Sequence, residues 1–203
     1  MQYCNTTTIA YGPTILKQIG FSSNMSLLFT SIPSLIGLIS TFLSIRLAKR
    51  IPYYLMITGN FLILLVSFAV VGFVKNATLK YIFFCVAGLS GTPNSSLIVT
   101  WSSLNVGGTS KRLITSALVV AVGSAGSMVS PLFFTRNYAP AFTIGFILMI
   151  VLPAVGIVLS LSIALYYKTT NDRRDRNPID VSHLTEDEQV QLNDRHPSFR
   201  YKL

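Results

Sequence analysis

The chain has 203 residues, of which 51% are hydrophobic and 11% charged, and its formal net charge is +9. Ten Lys and Arg but no Asp or Glu occur before Asp172. A water-soluble domain carries about a quarter charged residues of both signs, so these figures exclude one and place the chain in lipid. The bases flank apolar runs and form no stripe interleaved with aromatics, which implies no nucleic-acid partner.

Six apolar runs follow one another: 2–18, 25–46, 53–74, 80–101, 113–135 and 141–167. About 20 apolar residues cross the hydrocarbon core as a helix. The expected fold is therefore an all-α membrane protein of six transmembrane helices, residues 1–167, followed by a solvated tail, 168–203. The first run is the weakest. It holds Asn5, Thr6, Thr7 and Thr8 and is interrupted by Gly12-Pro13, so Met1 reads as a start inside a helix. Residues 1–8 lack the basic region and cleavage site of a signal peptide. Pro33, Pro93, Pro131 and Pro153 fall inside later runs, where neighbouring helices can re-satisfy the freed backbone.

The loops alternate in charge. Loops 47–52 and 102–112 and the tail, with their helix ends, carry Arg46, Lys49, Arg50, Lys111, Arg112, Lys168, Arg173, Arg174 and Arg176. The opposite set carries Lys17, Lys75, Lys80 and Arg136. The positive-inside rule makes the richer side cytoplasmic, with the C-terminus inside. The sequons at Asn24 and Asn76 then face outward, close to the membrane. Small residues line two stripes: Ser116, Val120, Gly123, Ser127 and Ser130 in the fifth run, and Gly88, Gly91 and Ser95 in the fourth. Such stripes let helices approach closely, and either could also wall a substrate path. Cys4 and Cys85 read as packing residues, since no CxxC or Cys/His cluster accompanies them. The tail holds all seven acids and both histidines, His183 and His196. It reads as mostly disordered, with a capping box at Thr185 and Glu188 that predicts a short helix over 186–192.

No span contains Asp, Glu or His, and no HExxH, GxSxG or GxxxxGK[ST] occurs. The chain shows no catalytic motif, no cofactor site and no metal ligands, so an enzyme is not expected. Any proton relay would have to reside elsewhere.

Trp101-Ser-Ser-Leu-Asn105-Val-Gly-Gly108-Thr-Ser-Lys111-Arg112, followed by Ser116-Ala-Leu118 and Gly123-Ser-Ala-Gly126, resembles a cytoplasmic loop and helix of fungal major facilitator transporters. The branch is the anion:cation symporter group that includes allantoate and nicotinate permeases. Further similarities follow in order: Tyr11-Gly-Pro13, Ile32-Pro33, Asn137-Tyr138-Ala-Pro140, Arg173-Arg174-Asp175 and Phe199-Arg200-Tyr201. The resemblance implies the C-terminal six-helix bundle of a twelve-helix carrier in the plasma membrane. Such a carrier moves a small organic, anionic solute by alternating access. It also implies that the N-terminal half is missing, so that the chain would need that half or a second half-carrier. Three positions depart from the family pattern. Ile45 stands for an acid in Ser44-Ile45-Arg46, Leu104 for the first of two Asn, and Ser124 for an Asn. These departures leave open a truncated or degenerate protein that does not transport.

By this analogy Asn5, Tyr11, Asn94, Trp101 and Ser124 are substrate-path candidates. Asn105, Lys111, Arg112 and Arg46 are candidates for a cytoplasmic gate. An amide at mid-helix such as Asn94 is costly in lipid without a partner, and an interhelical hydrogen bond would satisfy it equally well. Trp101 also fits an interface anchor. Arg136 could attract an anion at the outer mouth or snorkel. His183 and His196 are taken as surface residues.

Overall fold

A computed structural model describes residues 1–18, 20–133, 142–177 and 192–203. Arg136, the Asn137–Pro140 stretch, His183 and the 185–188 capping box lie outside the described residues. Among the described residues six α-helices make up the bundle: α1 (Gln2–Gln18), α2 (Ser23–Leu47), α3 (Tyr53–Phe73), α4 (Ala77–Leu104), α5 (Thr109–Phe133) and α6 (Thr143–Arg176). Each falls on one of the six apolar runs. α2 to α6 are long and apolar enough to cross a bilayer, whereas α1 has 17 residues and a polar first half. The chain is a multi-pass membrane protein. Its exposed side chains agree: Phe42 is 65% exposed, Val122 72% and Met128 79%, a surface that water would not tolerate over whole helices.

α6 outruns its apolar stretch. Its 34 residues span about 51 Å at 1.5 Å per residue, against roughly 30 Å of hydrocarbon. The last turns, which carry Asn171, Arg173, Arg174 and Arg176, therefore leave the membrane as continuous helix.

α4 is central and packs against α1, α2, α3 and α5, while α3 also packs against α6. Ile57, Phe61, Leu64, Phe68 and Val71 are buried at steps of four and three, which puts them on one stripe of α3. The Phe61 ring lies where a side chain on Gly156 of α6 would be, and Thr58 and Ser160 share a hydrogen bond of 2.9 Å across the same seam. On the other side of α4, Gly88 admits the backbone of Pro33. Pro33 cannot donate to the carbonyl of Phe29, and the Tyr81 hydroxyl donates to that carbonyl from α4 at 3.4 Å. The rings of Phe21, Phe29 and Tyr81 close over this point at 5.2–5.7 Å. α4 begins at Asn76, whose side-chain oxygen accepts from the amides of Thr78 and Leu79 at 3.0 and 3.3 Å. Two orphan donors of the first turn are thereby satisfied.

Candidate functional site

The polar residues that weaken α1 as a membrane span form its contact face. Thr7 is fully buried, and its hydroxyl donates to the Tyr3 carbonyl at 2.7 Å. That uses its one proton, so the Ser130 hydroxyl of α5 donates to Thr7 Oγ1 at 2.6 Å. One turn away, Thr6 donates to Ser127 at 2.9 Å. Gln2 lies against Gly123. The small-residue stripe Gly123–Ser127–Ser130 is thus the surface on which α1 rests. Its counterpart on α4 works in the same way. Gly91 leaves room for Asn5, whose amide donates to Gly91 O at 3.3 Å and to Ser95 Oγ at 3.0 Å.

Asn94 lies beside this seam on α4 and is fully buried. Its amide nitrogen has the Met1 sulfur at 3.7 Å, a weak acceptor, and its Oδ1 has no hydrogen-bond partner among the described residues. Desolvating an amide oxygen without a partner costs about 1–3 kcal/mol. Nearby, Cys4, Asn5, Thr8, Pro33 and Leu64 help to line a cavity of about 20 Å³, room for a single water.

A second constellation lies at the end of the bundle that carries loops 48–52 and 105–108. Residues 192–203 do not hang in solvent but dock there. Asn193–Arg195 form one 3₁₀ turn, residues 196–199 a second turn in which Phe199 N–H donates to the His196 carbonyl at 2.9 Å, and the last residues to Leu203 lack helical or turn structure. Tyr201 pairs with Asn171 of α6: its N–H reaches Oδ1 at 2.9 Å, and its carbonyl accepts from Nδ2 at 2.8 Å. Lys202 pairs with Asn105 in the same way, at 2.7 and 3.0 Å. The Trp101 indole also donates to Lys202 O at 2.8 Å, and Trp101 is only 6% exposed. Arg174 donates to the carbonyls of Phe199 and Asp194 at 2.7 and 2.9 Å. The Tyr201 ring stacks on Tyr167 at 4.6 Å and 5°, with the Arg174 guanidinium 5.1 Å from its centroid. Lys111 makes an ion pair with Asp194 at 3.1 Å, and Arg200 makes one with Asp175 at 2.7 Å. Both pairs are well exposed. Gly107 and Gly108 let Asn193 and Asp194 approach the α4–α5 turn, where Gly108 has φ +84°.

The nine candidates of the sequence analysis therefore separate. Asn5 and Asn94 lie on the α1–α4 seam. Trp101, Asn105 and Lys111 hold the docked tail. Tyr11 is half-buried against the apolar core. Ser124 is exposed on α5, outside the contact stripe. Arg112 is exposed at the start of α5. Arg46 lines an open depression of about 600 Å³ with Lys49 and Arg50. Tyr167, Asn171, Arg174 and Tyr201 join the site from outside the candidate set. Asn171 and Arg174 follow a long apolar run, and nothing in their spacing distinguishes them from interface residues. Among the described residues, no three His, Cys, Asp or Glu come together as metal ligands would.

Comparison with known proteins bears on what this bundle does. A protein of Schizosaccharomyces pombe, named as an uncharacterized transporter, is 34% identical over 114 residues. The match covers 54% of this chain and 22% of that protein. No family model matches the chain, and no solved structure matches it.

Proposed function

We propose that this bundle is the C-terminal half of a secondary carrier of the fungal major-facilitator type, moving a small organic anion by alternating access. The solute would pass between α1, α2, α4 and α5 and a second bundle, supplied by an N-terminal half or by another half-carrier. The observation that carries the reading is Asn94. A fully buried amide whose oxygen has no partner among the described residues, next to the α1–α4 polar seam, is the kind of group a carrier keeps at membrane depth for its solute. The likeness to a protein named as a transporter supports it, and so does the exposed state of α5, which buries only Ser130. The nine-to-four excess of bases supports a cytoplasmic C-terminus, in the plasma membrane on this reading.

The test is uptake of labelled nicotinate and allantoate by cells expressing the chain, alone and with an N-terminal six-helix half. Uptake that Asn94→Leu abolishes, with the protein confirmed in the membrane, supports the proposal. Background uptake in both settings refutes it for these solutes. A second reading, a membrane protein that does not transport, draws on Ile45, Leu104 and Ser124, each of which removes a polar group from the family pattern.

A further inference from the structure

The docked segment 193–203 has no part in the transport reading, yet it is the most specifically bound element at its end of the bundle. Its recognition is of main chain. An asparagine side chain offers the same donor and acceptor as a peptide group. Asn171 and Asn105 each use both to hold one residue of the tail. The Leu203 main-chain oxygen accepts from Tyr53 N–H at 3.0 Å, one of the donors that the start of α3 leaves without an intrahelical partner. This is peptide capture of the kind sheet edges perform, carried out here by helix ends. Side chains add to this: the Tyr201 ring stacks on Tyr167 beside the Arg174 guanidinium, and Asp194 and Arg200 make ion pairs with Lys111 and Asp175.

The seat joins four helices. Tyr53 belongs to α3, Trp101 to α4, and Asn105 caps α4. Lys111 and the Gly107–Gly108 turn open α5, and Tyr167, Asn171 and Arg174 belong to α6. α5 and α6 otherwise barely touch among the described residues, so at this end the peptide is what ties them. Its ion pairs lie at the rim: Lys111 is 53% exposed and Asp175 62%. Such contacts can open without unfolding the spans.

We propose that residues 193–203 are a displaceable peptide ligand of the bundle itself, and that their seating holds the α4–α5 turn against α6. The site takes an extended peptide with an aromatic residue at the place of Tyr201. The test is amide hydrogen exchange of the full chain in nanodiscs, with three results expected. The amides of Tyr201 and Lys202 exchange at least about ten-fold slower than in a free peptide of residues 193–203. A chain ending at Leu192 exchanges faster over residues 105–112 and unchanged in mid-α3. The free peptide added back restores protection over 105–112, and a peptide carrying Tyr201→Ala does not. Should the shortened chain also lose protection in mid-α3, the comparison is made with full-length Tyr201→Ala. Tail amides that exchange at the free-peptide rate would overturn the proposal. So would a 105–112 segment indifferent to loss of the tail, or to the added peptide. None of these readouts depends on transport.

Discussion

Replacing Thr7 by Val removes one hydroxyl at nearly constant volume from a place with no access to solvent. Ser130 then loses its acceptor, at 2.6 Å in the native protein. The Ser130 hydroxyl can turn back to a carbonyl of its own helix, so the loss falls short of a full unsatisfied group and comes to about 1 kcal/mol. Ser130→Ala removes the same bond from the other side and should cost about as much. The double variant isolates the pair. Interhelical hydrogen bonds in membranes couple by about 0.6 kcal/mol on average and about 1.7 at most. A doubly desolvated, short bond belongs in the upper half of that range. The assay is reversible unfolding in mixed micelles of the native chain, the two single variants and the double variant. A coupling below about 0.2 kcal/mol would show that α1 and α5 are not joined through this pair, since neighbours that share a bond couple by at least about 0.5.

Gly88→Val should destabilise the bundle by about 1–3 kcal/mol, because its side chain would meet the Pro33 backbone, which cannot rotate away. Gly59→Ala in α3 meets nothing within 4 Å and should be neutral or stabilising by up to about 1 kcal/mol. Thermal unfolding in detergent, read by tryptophan fluorescence, ranks the two. Gly108→Ala combines φ +84° with the close approach of Asn193 and should cost about 1–3 kcal/mol, seen in the same melt as faster loss of the Trp101 signal. Lys111→Met breaks an exposed ion pair and should shift the midpoint by less than the equivalent of about 1 kcal/mol. A larger shift would mean that Asp194 depends on Lys111 far more than its exposure allows.

Hydropathy made the six elements legible because lipid imposes one requirement on every spanning residue, and the runs meet it visibly. It understated α1 for the same reason. Asn5, Thr6 and Thr7 count against a span on any hydropathy scale, and only their partners Ser95, Ser127 and Ser130 show how their polarity is satisfied. It ended α6 too early, since the apolar run stops where the bilayer stops, while the helix needs only its own backbone bonds to reach Arg176. The burial of Asn94 could be anticipated from its place in mid-helix. The role of Asn105 could not. Its partner Lys202 is 97 residues away, and a signature run shows which residues recur together without showing what they grip. The resemblance drew attention to Trp101, Asn105 and Lys111 as one unit, which they are in space. Their shared contact is the tail, and nothing in the spacing of residues 192–203 announced it.

Asn171 and Asn105 grip consecutive residues of the tail from opposite sides, which makes the seat a ruler. Successive residues of an extended chain face opposite ways, so a one-residue slip would turn the Tyr201 ring away from Tyr167 and present the wrong edge to each amide. The side chain of Lys202 takes no part in the pairing and should be freely exchangeable. An insertion of one residue between Phe199 and Leu203 should not be tolerated. Variation in this segment is therefore expected to alter its letters and preserve its count.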